Sequence, residues 1–338
     1  MTTINRRVLL ASRPSGWVSE ENFTVDEQPV GSPADGQVLC RNLYLSVDPY
    51  MRGRMNDVKS YVPPFQIGEP LAGGAVAEVI ESRADGFQKG DHVMGMLGWE
   101  SFSCVDAAGL RKVEAGEHPL SYHLGVLGMP GLTAYVGLMT VGECKEGDSV
   151  FVSAASGAVG SVVGQIAKNV GCRVVGSAGS DDKVAWLVDE LGFDGAFNYK
   201  TVDSVHARMR QAFPKGIDVN FENVGGEIFE AAIWNMAPFG RIALCGMIAN
   251  YNDRPEETPP GPRGMTALIG RNVKMQGFIV SNYASDAPKW DAMAREWLTA
   301  GKLQYRETVA KGIENAPGAF IGMLKGQNFG KQIVKIAE

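Results

Sequence analysis

The stretch Asp148-Ser-Val-Phe-Val-Ser-Ala-Ala-Ser-Gly157-Ala158-Val159-Gly160-Ser-Val-Val-Gly164 decides the fold. Val150 and Val152 predict a buried strand, and Val159, Val162, Val163, Ile166 and Val170 follow at helical spacing. Between strand and helix lies a glycine turn. Gly157 lets the backbone turn tightly, and Gly160 omits a side chain where a pyrophosphate would approach the helix amides. The helix dipole then faces the anion. A second strand, Arg173-Val-Val-Gly-Ser177, completes a strand–helix–strand unit. A glycine triad alone also serves ordinary helix–sheet packing. In this context a dinucleotide site is the stronger reading.

From that unit onward, strands expected at 150–154, 173–177, 218–222, 241–246 and 274–280 alternate with helices beginning near Ala158, Asp181, Ser204, Gly226 and Pro288. Alternation of this kind predicts an α/β fold with a doubly wound parallel sheet and ligands at the carboxyl ends of its strands. The preceding part differs. Runs at 37–47, 74–81 and 91–97, punctuated by Gly, Pro and Asp, predict a compact β-rich domain. The tail returns to strand–helix–strand and suits either domain. One proline-rich loop, 253–264, reads as a surface connector or as the rim of a site.

The 338 residues suffice for two domains, and 21% charged with 45% apolar residues is the composition of an ordinary globular protein. A formal charge of −6 gives no electrostatic reason to expect nucleic acid or an anionic membrane as partner. The N-terminal residues lack the apolar core of a signal peptide, and five cysteines are scattered singly. Reduced thiols in a cytoplasm are therefore expected.

The second strand ends in small, uncharged residues instead of the acid that binds the ribose diol in an NAD site. Ser180 and Lys183 suit a 2′-phosphate, whereas Asp181 or Asp182 pointing inward would repel it. Placed in the first turn of a helix, those two acids suit the dipole instead, and NADPH (NADP+) is expected. Four histidines stand apart from cysteine at ligand spacing, so no metal site is expected. No Gly-x-Ser-x-Gly elbow occurs either.

Several separated motifs carry a resemblance. They are 44–55 (Tyr-Leu-Ser-Val-Asp-Pro-Tyr-Met-Arg-Gly-Arg-Met), 127–135, 154–160, 222–226, 245–251, 276–280 and 324–331. Together they resemble the zinc-free branch of the medium-chain dehydrogenase/reductases. More narrowly, the chain is similar to prostaglandin reductases, alkenal double-bond reductases and bacterial NADPH-dependent curcumin reductases. The resemblance implies a GroES-like domain, 1–126 with 305–338, around a Rossmann domain, 127–304. It implies cofactor contacts at the glycine turn, Gly157, Ala158, Val159 and Gly160, with Lys183 and Tyr199 at the adenosine phosphate. Asn223, Cys245, Gly246, Tyr251, Phe278, Ile279, Val280 and Asn328 would line the remainder. A homodimer is implied as well.

The activity implied is reduction of the carbon–carbon double bond of an α,β-unsaturated ketone or aldehyde. Charge develops on the substrate carbonyl oxygen, and a proton must reach the α-carbon, so hydrogen-bond donors are needed. Tyr251, the match to the family's active-site tyrosine, is the candidate donor to the enolate, and Tyr50 a substrate-positioning residue. Either tyrosine also reads as buried and structural. Quinone reduction and a non-catalytic NADPH-binding protein remain as alternatives.

Overall fold

The computed structural model describes residues 3–114, 116–254 and 261–337. The chain forms two compact units, Met1–Gly125 with Glu307–Glu338, and Val126–Arg306. In the first unit the strands are β1 (Ile4–Leu10), β2 (Phe23–Pro29), β3 (Gln37–Ser46), β4 (Ala72–Ser82), β5 (His92–Gly98), β6 (Phe102–Asp106) and β7 (Arg111–Lys112). In the second they are β8 (Ser149–Val152), β9 (Arg173–Ala178), β10 (Gly195–Asn198), β11 (Ile217–Glu222), β12 (Met236–Leu244) and β13 (Lys274–Gly277). The tail adds β14 (Glu307–Lys311) and β15 (Lys331–Lys335).

The first unit holds a seven-stranded sheet in the order β14-β15-β3-β4-β5-β7, with β6 also paired to β3. The tail therefore joins this sheet, where β15 runs antiparallel to β3. Strands β1 and β2 escape the sequence pattern because cross-strand charge pairs replace apolar alternation there. Arg6 lies opposite Glu27 and Arg7 opposite Asp26, each pair joined by an ion pair. From β15, the ammonium of buried Lys331 donates to Val47 O at 2.7 Å, Asp48 Oδ1 at 3.0 Å and Gln332 O at 2.9 Å. Three acceptors offset the cost of burying the charge, and the turn leading to Tyr50 is thereby anchored.

The second unit is a parallel six-stranded sheet in the order β10-β9-β8-β11-β12-β13. The chain moves outward from β8 to β10, then returns to build the other half from β11. That reversal creates a topological switch point between β8 and β11. Both faces of β8 are covered, which is why Val150, Phe151 and Val152 form one continuous apolar run, all fully buried. The helix Gly160–Asn169 buries Val162, Val163 and Ile166 completely, roughly 1.5–3 kcal/mol for each side chain.

Further helices occupy Asp181–Ala185, Val205–Ala212, Gly226–Trp234 and Ala287–Thr299. Ser204 caps the second of these by accepting the Ala207 N–H at 3.2 Å. Strand β10 has no strong sequence signal, since Gly-Ala-Phe-Asn offers one bulky apolar side chain, Phe197. Strand β13 ends at Gly277, so Phe278, Ile279 and Val280 lie just beyond it instead of inside the expected strand. Residues 255–260 of the proline-rich loop lie outside the described residues.

Candidate active site

The glycine turn follows β8, and its tight residue is not the expected one. Ala154 adopts φ +47°, in the left-handed region, and its carbonyl accepts the Gly157 N–H at 3.0 Å. Gly157 itself has no positive φ, and a Cβ there would meet only Ala154 O, at 3.3 Å. Holding an alanine in this conformation costs about 1–2 kcal/mol. Gly160 is more constrained. A Cβ would lie 2.5 Å from Ala154 O and 2.8 Å from Ala155 Cα, so the first helical turn packs directly on the turn backbone. The reason for this glycine is that contact. Gly157, Ala158 and Val159 are half-buried at the mouth of the turn.

At the end of β9 a basic cluster forms. A Cβ on Gly179 would lie 3.1 Å from Tyr199 Oη and 3.5 Å from Lys200 Nζ, and the Lys200 ammonium stands 5.9 Å from the centre of the Tyr199 ring. Burial and the neighbouring Lys200 charge both push the Lys183 pKa down, while burial raises that of Tyr199. Ser180 precedes the helix Asp181–Ala185. Asp181 and Asp182 are exposed in its first turn, and Asp181 Oδ1 accepts the Asn198 amide at 2.8 Å. Two ammonium groups beside a tyrosine hydroxyl fit an adenosine 2′-phosphate. Lys200 was absent from the sequence expectation. Its signal is the Tyr199-Lys200 pair, legible only once β10 is recognised.

The carboxyl ends of β8, β11 and β12 meet around Glu222, which is fully buried. Its Oε1 accepts the Ser153 hydroxyl at 2.9 Å and the N–H groups of Val224 at 2.7 Å and Gly225 at 2.9 Å. Burial raises the Glu222 pKa, and these hydrogen bonds oppose the rise. The Asn223 N–H donates to Ser153 Oγ at 2.7 Å, and its side-chain amide donates to Ser153 O at 2.8 Å. From the β12 side, the N–H groups of Cys245 and Gly246 both donate to Glu222 O, at 2.9 and 3.0 Å. Burial first and Glu222 second push the Cys245 thiol up to about 12, so it remains a neutral thiol.

Tyr251 closes this edge. Its Oη comes within 3.2 Å of the place a Gly246 Cβ would occupy, beside Asn223. The short helical turn Ile248–Asn250 brings it there, fixed by the Ile248 N–H on Asn223 O at 3.1 Å and the Ala249 N–H on Val224 O at 2.9 Å. Asn223, Cys245, Gly246 and Tyr251 are thus one local assembly. Phe278 packs edge-on against Phe221 of β11, ring centroids 6.4 Å apart, with Ile279 and Val280 half-buried after it. Glu222 and Ser153 were missing from the sequence reading as site residues. The one signal for Glu222 was a carboxylate closing the alternating strand Ile-Asp-Val-Asn-Phe-Glu222.

Tyr50 and Asn328 belong to the first unit. Tyr50 opens the short helix Met51–Arg54; burial chiefly, and the Asp48 carboxylate next, raise its pKa, while Arg54 lowers it through charge and a side-chain hydrogen bond. Arg54 in turn lies 4.0 Å over the Phe65 ring and donates to Pro63 O at 2.9 Å. Met51 and Met55, at the two ends of that helix, are fully buried in the core. The Asn328 amide donates to Gly330 O at 2.8 Å.

Among the described residues, no three His, Cys, Asp or Glu side chains gather where they could hold a metal ion. Two family models match: an N-terminal domain of oxidoreductases over residues 6–113, and a zinc-binding dehydrogenase model over 158–298. The chain is 44% identical to an NADPH-dependent curcumin reductase of Escherichia coli, covering 98% of this chain and 97% of that protein. It is 46% identical to an NADP(+)-dependent 2-alkenal reductase of Nicotiana tabacum, over 98% of each. Among solved structures, CurA of Vibrio vulnificus in complex with NADPH is 44% identical with a TM-score of 0.93, covering 98% of this chain and 99% of that one. The chain belongs to the medium-chain dehydrogenase/reductase family, in the group that includes the curcumin, 2-alkenal and prostaglandin reductases.

Proposed function

We propose that this protein uses NADPH to reduce the carbon–carbon double bond of α,β-unsaturated ketones and aldehydes. The observation that carries the reading is the Tyr251 hydroxyl over Gly246 and Asn223, at the carboxyl edge of a parallel sheet with a phosphate-type basic cluster on its other half. When bound, NADPH supplies the hydride. The glycine turn from Gly157 to Gly160 binds the pyrophosphate, and Ser180, Lys183, Tyr199 and Lys200 bind the 2′-phosphate. Asn223, Cys245, Gly246 and Phe278 to Val280 line the remainder, joined by Asn328. Tyr251 donates a hydrogen bond to the substrate carbonyl oxygen as negative charge develops there. Tyr50, kept protonated by its raised pKa, positions substrate.

The test is NADPH and NADH consumption with trans-2-alkenals, benzalacetone, curcumin and quinones, with product analysis. Loss of the alkene with the carbonyl intact is expected. Products from quinones alone would replace this reading with quinone reduction, and tight NADPH binding without turnover of any acceptor would leave a binding protein. The same assay on Lys200→Met is expected to raise the KM for NADPH about 10-fold, the scale of one charge-assisted phosphate contact, with the KM for NADH unchanged. Equal effects on both cofactors would remove Lys200 from the phosphate site.

We also propose a cytoplasmic homodimer. No helix among the described residues is long and apolar enough to cross a membrane. At the edge of the sheet β13 has one strand neighbour, and Phe239 and Ile269 nearby are 71% and 80% exposed. Such an edge suits pairing with a second copy. Light scattering is expected to give a dimer, converted to monomer by Ile269→Lys; a monomeric parent protein overturns this assignment.

A further inference from the structure

The strand β8, the glycine turn and the helix Gly160–Asn169 all lie between two cysteines, Cys144 before the strand and Cys172 after the helix. Their sulfur atoms are 3.3 Å apart, and both residues are buried. A disulfide needs a separation of about 2.05 Å, so the sulfurs must close by roughly 1.3 Å. The Cys172 thiol donates to Lys145 O at 3.2 Å, which leaves the Cys144 hydrogen to face the Cys172 sulfur. The other cysteines offer no comparable pair. On the paired strands β3 and β6, Cys40 lies opposite Ser103 and Cys104 opposite Leu39. Cys40 is buried and Cys104 exposed, as side chains on opposite faces must be.

We propose that Cys144 and Cys172 are a thiol-modification site, oxidised by a hydroperoxide to a reversible intramolecular disulfide. Once the Cys172 thiol gives up the hydrogen it directs at Lys145 O, its sulfur accepts the Cys144 hydrogen across the 3.3 Å contact, which lowers the cost of the Cys172 thiolate and makes Cys172 the attacking sulfur. Cys172 attacks the peroxide oxygen, the O–O bond breaks, and a sulfenic acid forms as an alcohol or water leaves. The Cys144 sulfur then attacks the sulfenic sulfur, the S–S bond forms, and water departs. The two thiols lose two electrons and two protons in total, and the hydroperoxide takes up the electrons. A dithiol reductant reverses the bond by exchange.

The bond spans residues 28 apart in sequence and closes a covalent ring around the strand–turn–helix unit. Cys144 precedes β8 and Cys172 directly precedes β9, so the bond forms at the amino ends of the strands. The glycine turn follows the carboxyl end of β8. Oxidation therefore restrains unfolding of the nucleotide-binding unit without touching its phosphate-binding end. Neither cysteine belongs to the residues proposed for cofactor or substrate, so this inference stands or falls independently of the proposed activity.

Treating the full-length native protein with hydrogen peroxide tests it. An intact mass lower by about 2 Da is expected, the loss of two hydrogens, with a non-reducing peptide map joining Cys144 to Cys172. The Tm rises by several degrees, dithiothreitol restores the starting value, and turnover is unchanged. Cys144→Ser and Cys172→Ala each lose the cross-link and the Tm rise. Oxygen addition without a cross-link, a bond through Cys40, Cys104 or Cys245, or no reaction in the native protein overturns the proposal.

Discussion

Tyr251→Phe turns over an enone about 10- to 100-fold more slowly than the parent protein, the scale of removing one donor from a developing oxyanion. The hydroxyl is expected to matter because of where its segment is held. Glu222 fixes the Asn223 turn, the turn fixes Ile248 and Ala249 by backbone hydrogen bonds, and the tyrosine follows directly. Removing one oxygen leaves that scaffold intact, so NADPH binding and Tm stay near the parent values. Single-turnover rates with benzalacetone make the comparison free of product release. A variant with the parental single-turnover rate would take Tyr251 out of the chemistry.

Gly160→Ala is expected to destabilise the nucleotide-binding unit by about 2 kcal/mol, a Tm fall of roughly 4–8 °C. The added carbon would sit 2.5 Å from Ala154 O and 2.8 Å from Ala155 Cα. Both are backbone atoms, so no rotamer change relieves the clash, and the helix must move away from the turn. Because Ala154 is already held at φ +47°, the turn has little freedom to yield. NADPH is expected to raise the Tm of this variant less than that of the parent, since the displaced helix start presents its amides poorly to a pyrophosphate. Gly157→Ala makes the control. It meets Ala154 O at 3.3 Å and nothing else, so a small effect is expected. Thermal unfolding of both variants with and without NADPH checks the pair, and a parental Tm for Gly160→Ala would refute the packing argument.

These two positions also show where the sequence was legible. The run Val150 to Val152, the helical spacing of Val162, Val163 and Ile166 and the alternation after them all correspond to elements of the parallel sheet and its helices. Their signal is periodic burial, which local residues encode directly. Strands held by charge pairs, such as β1 and β2, carry no such period. Strand β10 hides for another reason, because glycine and alanine pack without announcing a face.

The sequence by itself determined the family, the parallel sheet and the glycine turn, since each rests on residue types at fixed spacing. Tertiary structure alone decided the roles within the turn, assigning left-handed geometry to Ala154 and close packing to Gly160. It also placed Lys200 beside Lys183, Glu222 beneath the Asn223 turn and Cys144 against Cys172. The physical reason is distance along the chain. These contacts join residues whose proximity depends on how strands are ordered in a sheet, and no local period or spacing records that order.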